Sequence, residues 1–243
     1  MKKELDNTSI IPLYHQLKEI LRDNIESSKW RPGELIPSEN QLQKDYNISR
    51  NTVKKALDDL VAEGLLHRIQ GKGTFVAMPK LDQSLSSFYS FSKVMEEKGL
   101  EPKDIIISIN KTNADPNIAN HLQIPEGAPI ITLERLRCAK EEPIILETSY
   151  IPQSIISDLD KEKIQKYSLY DYMQKEYGVI VTNAKEIFEP VLIREYESQY
   201  LQVKPGFPAL LLDRIGYDAN RRPVEFCRSI VRGDRCRFYT ELL

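Results

Sequence analysis

Arg135 and Arg137 are separated by one leucine, so in an extended segment both side chains leave the same face, where two guanidinium forks can clamp a phosphate or a carboxylate. A second anion-binding element lies downstream. Ser168 stands where a helix begins, and its hydroxyl and the free N–H groups of the first turn attract negative charge, with Tyr170 close by. Nearer the N-terminus the residues point to nucleic acid: Arg50 and Asn51 open a helical run, with Lys54 and Lys55 one turn on. Base-edge donors come first and phosphate-seeking cations follow. Gly71-Lys72-Gly73 then makes a tight turn whose backbone can approach a phosphate closely. The plainer alternatives are ion pairing of the arginines with Glu134 or Glu147, capping alone for Ser168, and a solvated basic face for the helix.

These groups need elements to hold them. Ser49 is a helix N-cap, and Val53, Ala56, Leu57, Leu60 and Val61 recur at helical spacing until Gly64 ends the run. Pro37-Ser38-Glu39 opens a preceding helix, with Ser38 as cap and Gln41 as its reciprocal capping-box partner, stopping near Asn47. A first helix from Pro12 to about Ser27 offers Leu13, Leu17, Ile20, Leu21 and Ile25 as packing surface. Extended runs from Leu65 to Gln70 and from Thr74 to Met78 flank the Gly-Lys-Gly turn. The order predicts a winged helix-turn-helix that reads double-stranded DNA.

The chain has 243 residues, enough for two cores, and 41% hydrophobic with 29% charged content argues against disorder. No apolar run has the length of a membrane span, and Met1-Lys2-Lys3-Glu4 begins no signal peptide, so a cytoplasmic location without membrane contact is expected. The formal charge of -2 hides a local excess of Arg50, Lys54, Lys55, Arg68, Lys72 and Lys80 over Asp58, Asp59 and Glu63. That excess is modest, so useful affinity calls for two copies on a two-fold site, a homodimer. Cys138, Cys227 and Cys236 have no metal-ligand spacing and read as buried thiols; with His15, His67 and His121 scattered, neither a metal nor another cofactor is expected.

The second half repeats itself. His121 to Leu136 aligns with Tyr200 to Ile215, with Gly127 and Gly206, and Arg135 and Arg214, each 79 positions apart; after one extra residue Pro143 matches Pro223 and Ser149 matches Ser229. Each copy reads strand (Ile105–Asn110; Ile187–Leu192), helix (Pro116–Leu122; Glu195–Leu201), then a strand hairpin, which predicts about six strands in one twisted sheet of α+β architecture, with helices on one side. A capped helix from Ser168 to Tyr177 sits between the copies. Groups present in one copy only are the better ligand candidates: Arg137 corresponds to Gly216, Glu225 to Ile145 and Glu147 to Cys227. Glu134-Arg135 recurs as Asp213-Arg214, which assigns part of Arg135 to scaffold.

The runs Pro12-Leu13-Tyr14-His15-Gln16-Leu17, Pro37-Ser38-Glu39, Ser49-Arg50-Asn51-Thr52-Val53, Glu63-Gly64-Leu65 and Gly71-Lys72-Gly73-Thr74-Phe75-Val76 resemble the GntR family of bacterial transcription regulators. The resemblance implies DNA contacts from Arg50, Asn51, Thr52 and Lys54, and minor-groove or phosphate contacts from Gln70, Gly71 and Lys72. With Ser38, Arg68 and Gly73 these complete the expected DNA-binding set. Many relatives carry an Arg where this chain has Asn40.

The second half resembles the UTRA effector-binding domain of the HutC subfamily, similar in fold to chorismate lyase, through Tyr89-Ser90-Phe91, Leu133-Glu134-Arg135-Leu136-Arg137, Glu147-Thr148-Ser149-Tyr150-Ile151-Pro152, Ser168-Leu169-Tyr170-Asp171 and Arg232-Gly233-Asp234-Arg235. In phosphosugar-responsive relatives, positions matching Ser90, Arg135, Arg137, Ser168 and Tyr170 hold the anionic group, and those matching Glu147 and Glu225 take sugar hydroxyls. Val231 stands where such relatives often have Tyr. The implied organisation is a DNA-binding domain over 1–78, a linker over 79–87 and an effector-binding, dimerising domain over 88–243.

The function expected is a dimeric repressor released from a two-fold operator by a small anionic effector, a phosphorylated sugar first. An activator or a carboxylate-responsive regulator is the alternative. An enzyme of chorismate lyase-like fold is the competing class, and the DNA module argues against it.

Overall fold

The computed structural model describes residues 5–69, 71–78, 80–85, 95–96, 101–139 and 141–241. Gln70 and Ser90, both expected at binding sites, lie outside the described residues. The chain divides into two compact units, residues 1–80 and 81–243. No described helix is long and apolar enough to cross a membrane.

The first unit holds helices α1 (Leu13–Glu26), α2 (Glu39–Tyr46) and α3 (Arg50–Ala62), then a hairpin of β1 (Leu66–Ile69) and β2 (Gly73–Val76). Ser38 and Ser49 cap α2 and α3, their hydroxyls accepting from the backbone N–H of Gln41 and Thr52 at 3.3 and 3.2 Å. The expected reciprocal bond from Gln41 is not formed: its amide donates to Asp45 at 2.8 Å, one turn along the helix. Asn47 ends α2 in the left-handed region, and Gly64 follows α3 at φ 74°. Leu17, Leu21, Leu42, Val53, Leu57, Leu60 and Leu66 share one core, each fully buried Leu contributing about 1.5–3 kcal/mol.

The second unit is built on a six-stranded antiparallel sheet whose spatial order is β4-β5-β6-β9-β8-β7. Its strands are β4 (Pro102–Asn113), β5 (Pro129–Ala139), β6 (Glu142–Pro152), β7 (Asn183–Leu192), β8 (Pro208–Tyr217) and β9 (Pro223–Arg232). The duplicated sequence is a duplicated fold. Helix α4 (Pro116–Leu122) joins β4 to β5 as α7 (Glu195–Leu201) joins β7 to β8, and the halves meet at β6 and β9. There Thr148 pairs with its own counterpart Arg228, flanked by Glu147–Ser229 and Ser149–Cys227, so a local two-fold runs through the Thr148–Arg228 pair. An axis of that kind, normal to an antiparallel sheet, returns each half to the same face.

Helices cover both faces rather than one. Apolar residues of α4 and α7, among them Ile118, Leu122 and Leu201, pack on the face of Phe226, Ile130, Leu136 and Leu146. Helices α5 (Lys161–Lys166) and α6 (Leu169–Tyr177) pack on the opposite face through Ile164, Leu169, Tyr172 and Met173 against Ile131, Leu133 and Ile151. Two elements escape the sequence reading: α5, and a parallel ribbon of β3 (Leu81–Ser84) with β10 (Cys236–Tyr239). Leu81–Ser84 was expected within the linker. The ladder to β10, a bidentate Asp82–Arg237 pair at 2.7 and 2.9 Å, and burial of Leu81 beside Val231 and Leu212 make it part of the second unit.

Candidate functional site

The DNA-facing candidates of the first unit follow from the two capped helices. With Val53, Ala56, Leu57 and Leu60 turned into the core, Arg50, Asn51, Lys54 and Lys55 are left on the exposed side of α3. Arg50 keeps a loose pair with Glu39 at 3.5 Å and stays 71% exposed, so the pair is worth little. Thr52 is half-buried, its hydroxyl 2.8 Å from that of Ser49, and Lys55 lies over the Tyr14 ring. Ser38 and Asn40 are exposed at the start of α2. The hairpin tip exposes Gly71, Lys72 and Gly73. Gly73 has φ 126° and a Cβ there would lie 2.7 Å from Leu35, so this turn admits only glycine without rearrangement. Arg68 pairs with Asp58 of α3 and with Glu39 of α2, stapling the wing to both helices.

In the second unit a cavity of about 620 Å³, its open mouth included, lies on the α6 face of the sheet. Arg135, Arg137, Glu147, Ser168, Tyr170 and Glu225 all line it. Of the effector-binding residues expected from the sequence, only Ser90 is outside this set, because it is outside the described residues. Strand register does the gathering: Arg135 is opposite Glu147, Glu147 opposite Ser229, and Glu225 opposite Gly216.

The arginine forks are engaged. Arg135 and Arg137 each pair with Glu147, at 3.4 Å for Arg137, and each also pairs with Asp104 at 3.3 and 3.2 Å. Side-chain exposures of 4% and 9% make these buried pairs, for which removing one partner costs about 3–5 kcal/mol. Burial opposes the charge on both arginines, but Glu147 beside Arg135, and Asp104 with Glu147 beside Arg137, outweigh it and raise both guanidinium pKa values. Burial likewise pushes the Glu147 carboxyl up, and Arg135 and Arg137 more than reverse it, down to about 2. Ser229 donates to Glu147 at 3.4 Å.

Asp104 was missed. It reaches the arginines through a bulge in β4 between Ile106 and Ser108: beyond the bulge Asp104 is opposite Arg137, whereas the uninterrupted register of Ser108 with Glu134 would turn it to the other face. No residue type or spacing announces that shift.

The other polar groups are also closed on internal partners. Ser168 caps α6 by accepting from the Asp171 N–H at 3.1 Å and donates to the Asp171 carboxylate at 2.7 Å. The Tyr170 hydroxyl donates to Glu225 at 2.6 Å, and burial, then the Glu225 charge, push its pKa well up. Arg214, Cys227, Ser229 and Phe238 complete much of the lining and were not singled out from the sequence. The repeat held the signal for Arg214, as the counterpart of Arg135. Burial, then the charge of Glu147, hold Cys227 as a protonated thiol. Val231, where phosphosugar-responsive relatives often have Tyr, is fully buried in the apolar cluster of Leu81, Ile145 and Leu212. Among the described residues no group of His, Cys, Asp and Glu is arranged to hold a metal ion.

Residues 13–76 match the bacterial regulatory proteins of the gntR family, and residues 97–237 match the UTRA domain. The chain is 33% identical to the HTH-type transcriptional repressor NagR of Bacillus subtilis (strain 168), covering 96% of each chain. It is 31% identical to a probable fructoselysine utilization operon transcriptional repressor of Escherichia coli (strain K12), covering 89% of this chain and 90% of that one. Among solved structures it is similar to PhnF from Mycobacterium smegmatis, with a TM-score of 0.63 and 27% identity over 96% of this chain and 99% of the other.

Proposed function

The chain belongs to the GntR family of DNA-binding transcriptional regulators, in its UTRA-bearing, HutC-like branch, and from that premise we propose that it is a repressor released from its operator by a phosphorylated sugar. It is a regulator and not an enzyme. The observation that carries the ligand class is the convergence of Arg135, Arg137, Ser168 and Tyr170 with Glu147 and Glu225 around one cavity. Two guanidinium forks and a helix N-terminus suit a phosphoryl group, and two carboxylates suit sugar hydroxyls.

Glu147 pairs with both forks. Ligand entry is then an exchange, in which the phosphoryl group takes the Glu147 places on Arg135 and Arg137 and the freed carboxylate accepts from a hydroxyl. Two copies on a two-fold operator supply the affinity that the modest charge of one wing and one recognition helix does not. To shift such a dimer from 1:99 to 99:1 in favour of the released arrangement, the effector must prefer it by about 5.5 kcal/mol. Two relatives are named as repressors, NagR and the fructoselysine operon repressor, which supports the sign of the response.

A thermal-shift panel of sugar phosphates and small carboxylates on the full chain tests the ligand class, since binding the native state raises its stability. Stabilisation by sugar phosphates, lost in Arg135→Ala/Arg137→Ala while DNA binding persists, is the expected result. Effector-induced release that survives the double substitution would sink the clamp. One observation favours a second reading, a carboxylate effector: the forks already pair with the carboxylates of Asp104 and Glu147.

A further inference from the structure

The cavity has a third arginine. Arg214 lines it from β8, opposite Cys227 on β9, and is the duplicated counterpart of Arg135. Repetition in sequence marks such a residue as scaffold, but the local two-fold through Thr148–Arg228 changes its meaning. Both copies of the arginine fall on the same face of one sheet and border the same cavity from opposite sides. Their strands are three spacings apart, about 14 Å, so a ligand that touches both must span the cavity from one arginine to the other.

The halves use one device with different residues. In the first, Asp104 on outer strand β4 holds Arg135 and Arg137; in the second, Glu186 on outer strand β7 lies 3.4 Å from the Nε of Arg214. Neither acid lines the cavity, while the arginines do. Where the first half has Arg137, the second has Gly216. A Cβ there would come within 3.1 Å of Val181 and 3.5 Å of the Tyr170 hydroxyl, so the missing side chain leaves the space that Tyr170 uses. The Tyr170 ring in turn lies 5.7 Å from the Arg214 guanidinium. One side of the cavity thus carries a double fork and the other a single one, a match for a dianionic group at one end and a weaker oxygen acceptor at the other.

We propose that Arg214 is a third cationic effector contact, holding an oxygen-acceptor group, a carboxylate in the simplest case, at the end of the ligand away from its phosphoryl group. This rests on the phosphosugar reading above. The test compares two probes with the same six-carbon chain and phosphate, 6-phosphogluconate with its C1 carboxylate and sorbitol 6-phosphate with a C1 hydroxyl, by calorimetric titration of the full chain. The unaltered protein is expected to bind the carboxylate about tenfold or more tightly, as befits one charge-assisted pair of hydrogen bonds. Arg214→Met is expected to erase that preference, weakening 6-phosphogluconate about tenfold more than sorbitol 6-phosphate, and Arg214→Lys to restore part of it. Should Arg214→Met fail to fold because Glu186 loses its partner, Arg214→Met/Glu186→Gln removes both charges together. Equal affinity for the probes in the unaltered protein, or an equal loss of both in the Met variant, overturns the assignment and leaves the phosphosugar reading standing. Binding of neither probe overturns both.

Discussion

Glu147 is the residue on which the charges of the cavity are balanced. It lies between two buried guanidiniums and is held at about 2, against an ordinary carboxyl value of 4.5. A depressed carboxyl stabilises the fold fully above its unfolded value and loses that contribution as pH falls towards the folded one. Acid unfolding should therefore steepen between pH 4.5 and about 2. Glu147→Gln is expected to be less stable at neutral pH, with two arginines short of a partner, and to lose less across that window; denaturant midpoints measured against pH check it. Parallel curves for the two proteins would mean that other carboxylates carry the acid response. The same residue ties β5 to β6 across the cavity wall, because its carboxylate pairs with both Arg135 and Arg137.

At the scale of elements, the recognition helix depends on one hydroxyl. Ser49 accepts from the Thr52 N–H, and Ser49→Ala is expected to cost about 1 kcal/mol in denaturant unfolding of the first unit. An unchanged midpoint would show that Thr52, whose hydroxyl also sits at the cap, satisfies the turn by itself. The wing depends on a glycine. Gly73→Ala meets both a left-handed φ and Leu35 at 2.7 Å, so it should loosen the hairpin and weaken binding to operator and random duplex alike, measured by fluorescence anisotropy. A loss confined to the operator would assign the wing to base reading instead. Arg68 belongs to this scale too: its pairs with Asp58 and Glu39 make it first a staple of the wing, whatever it later offers to DNA.

The whole molecule consists of two units with separate cores. The apolar cluster of the first, from Leu17 to Val76, is built among the described residues from that unit's own side chains. A fragment of residues 1–80 is therefore expected to melt cooperatively on its own, followed by circular dichroism, and to bind operator DNA far more weakly than the full chain, because the proposed dimerising domain is gone. A fragment without a melting transition would show that the first unit borrows stability from the second. The second unit begins at strand β3, tied by its ladder and by Asp82–Arg237 to β10. Phe238 of β10 lines the cavity, so the cavity and the first strand of the second unit share one ribbon.

By itself the sequence determined whatever is set within a few residues. Caps at Ser38, Ser49 and Ser168, apolar periodicity in α1 and α3, the Gly-Lys-Gly tip, the alternation of Arg135 with Arg137 and the duplication were all legible, because helix starts, strand faces and tight turns are decided by neighbouring side chains and backbone torsions. The tertiary structure alone decided which charges meet. Asp104 joins Arg137 only because a bulge shifts the register of β4 by one residue, and Arg214 joins the cavity only because two copies of one unit close about a two-fold through Thr148 and Arg228. Strand register and the packing of one half against the other are settled by burial over the whole sheet, and no short stretch of the chain encodes them.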